Sequence, residues 1–224
     1  MITRTLSFSD LALYLEDREA YYRKLTEPRQ QPGTVPELVG AVVHRIASRK
    51  PEYPEAPEEQ PFAEAMNRLS ESERLEAEAS IADKLEAIAE LSARDDSSVV
   101  REKQLSWRDP VTGWKLKAKP DEIALPGASN NYMEIADLKT AYRLRKKHRD
   151  QLYFFGLVAS LATGYDGPIK LVVKLLGSRT RQEFWYSPKV TAAALERVRE
   201  TVVEIDAFLV SRGLLEATRE QVAA

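Results

Sequence analysis

KPDEIAL (119–125) and YMEIADLKT (132–140) are the two runs from which the rest of the chain can be ordered. Each mixes apolar and polar residues at short period, and the turn-rich PGASNN (126–131) separates them, so they read as neighbouring strands. Pro120-Asp121 opens the first strand and Asp137-Leu138-Lys139 closes the second. Alternate side chains of a strand share a face, so Asp137 and Lys139 point together while Leu138 turns into the packing. Two carboxylates and an ammonium at adjoining strand ends suit Mg²⁺ or Mn²⁺, hard cations that take oxygen ligands and keep some water. Such an ion acidifies a bound water and neutralises charge developing on a phosphate. By itself a D-x-K triplet reads first as a solvated ion pair, so its weight depends on what surrounds it.

On the N-terminal side, SFSDLALYLEDREAYYRKL (7–25) reads as one helix capped by Ser7 or Ser9, with Leu11, Tyr14, Leu15, Tyr21, Tyr22 and Leu25 apolar. A Pro/Gly-rich loop leads to a second helix, 36–49, with His44 in its middle. KPEYPEAPEEQP is a connector, and 61–94 reads as two helices broken near Ser70–Ser72, their thin apolar face suggesting a lid or arm. SVVREKQLSW and GWKLKAK flank the turn DPVTG as a β-hairpin. Beyond the central pair, RLRKKHRDQLYFFGLVASLATGY reads as a helix, IKLVVKLLG and RQEFWYS as strands, and 188–213 as a closing helix. The expected fold class is α/β (α+β): a mixed central sheet flanked by helices, with a helical N-terminal region. Residues 1–224 are read as one domain, with 51–96 as an acidic helical insert and 97–187 as the sheet core.

The chain has 224 residues, 43% hydrophobic and 30% charged, an ordinary globular composition. It has no cysteine, which excludes disulfides, thiol nucleophiles and Cys-ligated zinc or iron–sulfur clusters. Its two histidines, His44 and His148, are too few for a His-rich zinc site. No run approaches the roughly 18 apolar residues of a membrane span, and MITRTLSFSDLALYLEDRE does not read as a signal peptide, so a cytoplasmic protein is expected. The net charge of −2 conceals an asymmetry. Residues 51–96 hold 14 acidic and 4 basic side chains, leaving the remainder net positive by 8.

Taken in order, these segments resemble the RecB-like branch of the PD-(D/E)XK nucleases, a group including CRISPR adaptation nucleases and phage or RecE-like recombination exonucleases. LSFSDLALYLEDREAYYRKL resembles the family's opening helix, and LVGAVVH (38–44) its Gly-x-x-x-His helix. KPDEIAL resembles the strand with the first metal-binding aspartate, and EIADLKT the apolar-Asp-x-Lys-Thr strand. QLYFFGLVASL resembles the following Gln-x-x-x-Tyr helix, with Phe155 at the tyrosine position and Tyr153 nearby. The glycine that precedes the first aspartate in the family is replaced by the Lys117–Pro120 run.

The resemblance implies a restriction-endonuclease-like core without the iron–sulfur cluster of many relatives. It further implies that Asp121, Asp137 and the Leu138 carbonyl ligate Mg²⁺ or Mn²⁺ and that Lys139 acts on the water. His44 is implied as a further ligand or as a residue holding one, its alternative being a helix histidine packed on the sheet. Gln151 is implied to orient the site or touch DNA, against a helix-surface amide, and Glu102 stands one step behind the metal or in an exposed ion pair. Arg143, Arg145, Lys146, Lys147 and Arg149 follow the lysine strand as candidate phosphate contacts, which would make binding salt-dependent. Trp107, Trp114 and Trp185 read as packing residues before base-stacking ones.

The function implied is metal-dependent hydrolysis of phosphodiesters, with DNA as partner, either double-stranded ends or single strands. Exonuclease action in recombination, repair or phage DNA metabolism follows from the resemblance, as do a homo-oligomer and a recombination partner protein. No G-x-x-x-x-G-K-[ST] run is present, so no P-loop motor is encoded in these residues. Two other classes stay open: a catalytically inactive nucleic-acid-binding or assembly module on the same fold, and an acidic helical interaction protein.

Overall fold

The computed structural model describes residues 4–27, 34–47, 60–91, 99–101, 103–127 and 131–215. Glu102, parts of the 51–96 segment and the end of the chain lie outside them. The chain order is β1 (Thr5–Ser7), α1 (Phe8–Glu16), α2 (Arg18–Thr26), α3 (Val35–Ala47), α4 (Gln60–Asn67), α5 (Glu71–Leu91), β2 (Val99–Arg101) and β3 (Leu105–Arg108). It continues with β4 (Lys115–Ala118), β5 (Glu122–Ala124), β6 (Met133–Lys139), α6 (Lys146–Thr163), β7 (Ile169–Leu175), β8 (Thr180–Tyr186), a 3-10 turn (Pro188–Val190) and α7 (Thr191–Ser211). Helices flank mixed sheets, as expected. Among the described residues there are two such sheets, β1-β4-β3 and β2-β5-β6-β7-β8, where one was expected.

Three local features account for the difference. Thr5–Ser7 runs parallel to Lys115–Lys117 as a strand too short to show a period in sequence. It ends in a reciprocal cap, where Asp10 N–H donates to Ser7 Oγ at 3.3 Å and Ser7 N–H to Asp10 Oδ2 at 2.9 Å. The single helix expected over 7–25 breaks at Asp17, which is extended (φ −150°, ψ 100°) and accepts from Ala20 N–H at 2.9 Å, capping α2. The extended run 98–107 divides as well. Val99–Arg101 pairs with β5 in the large sheet and Leu105–Arg108 with β4 in the small one.

The β3–β4 hairpin turns at Asp109–Gly113, with Gly113 at φ +73°, a conformation open to glycine without strain. Asp109 accepts from the Val111 and Thr112 amides at 3.3 Å each and from Thr112 Oγ1 at 2.8 Å. It also receives Arg199 of α7, Nη2 at 2.7 Å and Nε at 3.0 Å. The break near Ser70 is as expected: Ser70 caps α5, and its N–H donates to Glu73 Oε2 at 2.9 Å.

β6 is the middle strand of the large sheet and pairs in parallel with β7, the connection running through α6. One core lies between the sheets and α1, α2, α6 and α7, centred on Ile135, Leu171, Val173, Leu152 and Ile205. A second, smaller one lies on the opposite face of β6, where Val39 and Val43 of α3 and Ala77 and Ala87 of α5 cover Leu138 and Leu176. Trp114 is in the first core and Trp107 packs against it, whereas Trp185 is 55% exposed.

Candidate active site

In β5 and β6, Glu122 faces Ala136 and Ile123 faces Ile135. One step further along that register Asp121 stands beside Asp137, at the point where Pro120, which has no N–H, releases the chain from the small sheet. Asp121 Oδ2 accepts the Leu138 amide at 2.6 Å. The N–H and C=O of a strand residue point to the same side, so the Leu138 carbonyl is directed past the end of β5 towards Asp121.

His44 comes from α3, which packs on the Leu138 face, and its Nδ1 is 3.1 Å from Asp121 Oδ1. Burial opposes a charge on this ring, but the hydrogen bond to Asp121 and the Asp121 and Asp137 charges outweigh it and lift its pKa above the usual value. Asp137 is 4% exposed. Burial pushes its pKa upward and the Asp121 charge adds to this, while Lys139 and His44 pull it down. Lys139 Nζ lies 2.7 Å from Asp137 Oδ2, close enough for charge attraction, but that buried oxygen has no aligned hydrogen-bond donor.

This donor set fits a hard divalent cation. It offers two carboxylates, one with an orphaned buried oxygen, and a strand-end carbonyl. Among the described residues no three His, Asp or Glu side chains converge tightly enough to enclose a metal alone. Water and backbone would complete the shell, as Mg²⁺ accepts. His44 is joined to the set through Asp121.

The remaining candidates are placed less closely. Gln151 is half-buried on α6, and its amide makes no hydrogen bond among the described residues. Arg143, Arg145, Lys146, Lys147 and Arg149 are all exposed and pair with no carboxylate among the described residues. At the start of α6 the buried His148 ring stands at the third position, its Nδ1 accepting Arg145 N–H at 3.3 Å. Burial, then the charges of Lys139, Lys147 and Arg145, hold the His148 pKa down at about 4, so the ring is a neutral acceptor.

The family model of the PD-(D/E)XK nuclease superfamily matches residues 5–222. The chain belongs to that superfamily. Within the matched residues, Pro120-Asp121 and Asp137-Leu138-Lys139 are brought together at the end of the central strand. Members are generally metal-dependent nucleases, and the flanked mixed sheets agree with their restriction-endonuclease-like fold. No curated protein matches the sequence. Among solved structures, one titled "Crystal structure of SSO0001" is 15% identical, with a TM-score of 0.45, over 92% of this chain and 78% of that one. Among the described residues no helix is long and apolar enough to cross a membrane.

A buried ion pair went unseen in the sequence. Lys174 Nζ donates to Glu122 Oε2 at 2.5 Å, on the sheet face opposite Asp137. Strand parity places both residues on that face, but the pairing of β5 with β6 and of β6 with β7 had first to be known.

Proposed function

We propose that this chain is a deoxyribonuclease of the RecB-like branch, dependent on Mg²⁺ or Mn²⁺ and acting as an exonuclease on DNA ends in recombination, repair or phage DNA metabolism. The observation that carries the reading is the meeting of Asp121, Asp137 and Lys139 at the end of the central strand, with the Lys139 ammonium 2.7 Å from a buried Asp137 oxygen. In this proposal residues 1–224 form one nuclease domain, with 51–96 an insert and 97–187 the core.

Asp121, Asp137 and the Leu138 carbonyl would hold the cation, which supplies an acidified water and neutralises charge on the phosphate. The Leu138 amide fixes one oxygen of Asp121 and His44 the other, so the carboxylate is set before substrate arrives. Lys139 orients the attacking water and stabilises negative charge on the phosphoryl oxygens. Arg143, Arg145, Lys146, Lys147 and Arg149, which pair with no carboxylate among the described residues, would meet backbone phosphates, and Gln151 of α6 would orient the site or touch DNA.

The test is incubation of linear, circular and single-stranded DNA with Mg²⁺, Mn²⁺ or EDTA, beside Lys139→Ala and Asp121→Ala. Metal-dependent loss of linear DNA, abolished by both substitutions, is expected, with circles intact. Nicked circles would overturn the exonuclease mode. DNA binding without cleavage in either metal would reduce the chain to a binding module.

A further inference from the structure

Beside the catalytic strand end lies a cavity of about 210 Å³ that the proposed reaction does not use. It is lined by Pro36 and Val39 of α3 and by Glu76, Ser80 and Lys84 of α5. The mouth is formed by Thr140 and Tyr142, in the loop that leaves β6 directly after Lys139. At about 3.3 Å per residue, Thr140 lies ~10 Å along the strand from Asp137. The cavity therefore opens beside the strand end, on the side covered by α3 and α5.

Three features fit an unpaired nucleobase. Tyr142 is 68% exposed, yet its position is set: Gly177 lies so close that a Cβ there would sit 2.9 Å from Tyr142 Cγ. One ring face looks towards the Lys84 ammonium, 5.1 Å from the centroid, which leaves the other for stacking. The volume is below the roughly 300–1,000 Å³ of drug-sized ligand sites, enough for one planar ring system but not for a base pair. Hydroxyls of Ser80 and Thr140 and the Glu76 carboxylate can meet base edges.

Phosphates are not the expected occupants. Lys84 is already paired with Asp83 at 2.6 Å, and Asp83, Glu86 and Glu90 crowd Arg179 nearby. The unpaired cations Arg143 and Arg145 instead lie in the same loop, just beyond Tyr142.

Resting on the nuclease reading, we propose that this cavity is a subsite for an unpaired base of single-stranded DNA, stacked on Tyr142, with the backbone passing along Arg143 and Arg145. The experiment measures binding, in EDTA, of a fluorescent 15-nucleotide oligothymidylate and of an abasic oligomer of equal length. Tyr142→Ala should weaken oligothymidylate binding roughly 5- to 100-fold with an unchanged salt slope. Tyr142→Phe should retain binding, and Ser80→Leu, which fills the cavity, should reproduce the loss. The abasic oligomer should respond to none of these. Equal losses on both oligomers, or no loss on either, would overturn the subsite. Cleavage of linear DNA by the unsubstituted protein is scored separately. Cleavage without a base-dependent Tyr142 effect sinks the subsite and keeps the nuclease, and base-dependent binding without cleavage does the reverse.

Discussion

Replacing Asp109 by Asn removes a charge that ties the β3–β4 turn to α7. The Asp109 side chain is 3% exposed and meets Arg199 through two hydrogen bonds. Arg199 is the largest influence in holding its pKa down, from 3.8 to about 2. Burial acts against this, while the Thr112 hydroxyl and the Val111 and Thr112 amides add to it. At about 1.36 kcal/mol per unit, the ionised carboxylate contributes about 2 kcal/mol at neutral pH. The sign is that of a depressed acid. The contribution is complete above the unfolded pKa, near 4, and is lost as the pH falls towards 2. Asp109→Asn should therefore lower the melting temperature by ~4–8 °C at pH 7. The gap should close between pH 4 and pH 2, where wild-type Asp109 becomes neutral as well. Urea unfolding of both proteins at several pH values reads this directly, because every other titrating group cancels in the difference. A gap that stays constant or widens on acidification would refute the reasoning.

Two further outcomes concern packing. Lys174→Met leaves the buried Glu122 with only Arg101, 4.0 Å away, and should cost about 3–5 kcal/mol, whereas the Glu122→Met/Lys174→Met pair should recover most of it; additive losses in urea titrations would show that the two are uncoupled. Gly156 lies so close to Tyr186 that an added Cβ would stand 2.8 Å from its Cγ, so Gly156→Ala should destabilise by about 1–3 kcal/mol in thermal melts; an unchanged midpoint would mean that the helix and β8 can separate freely.

The site was legible in the sequence to the extent that its residues are local to a strand. Asp137, Leu138 and Lys139 sort onto faces by parity alone, and the structure keeps that sorting, Leu138 in one core and Asp137 on the other side. That His44 reaches Asp121 depends on α3 crossing the sheet 77 residues earlier in the chain, which no spacing encodes. The motif order carried it. What escaped were features decided by competition between levels. Asp17 prefers to cap a new helix over continuing the old one, and Val99–Arg101 and Leu105–Arg108, continuous in pattern, pair in different sheets. Tyr142 and Lys84 had no periodic signal, since one lies in a loop and the other on a helix whose apolar face is thin.

Asp121 follows Pro120 at the crossing between the sheets and is held by a residue 17 positions later and another 77 positions earlier. Contacts of such different span close at different stages, because the longest loop carries the greatest entropic cost. The β5–β6 pairing can set Asp121 against Leu138 early, but its second oxygen gains His44 only when α3 has docked through the small core under α5. A partly folded chain thus carries every carboxylate and the lysine without the finished site.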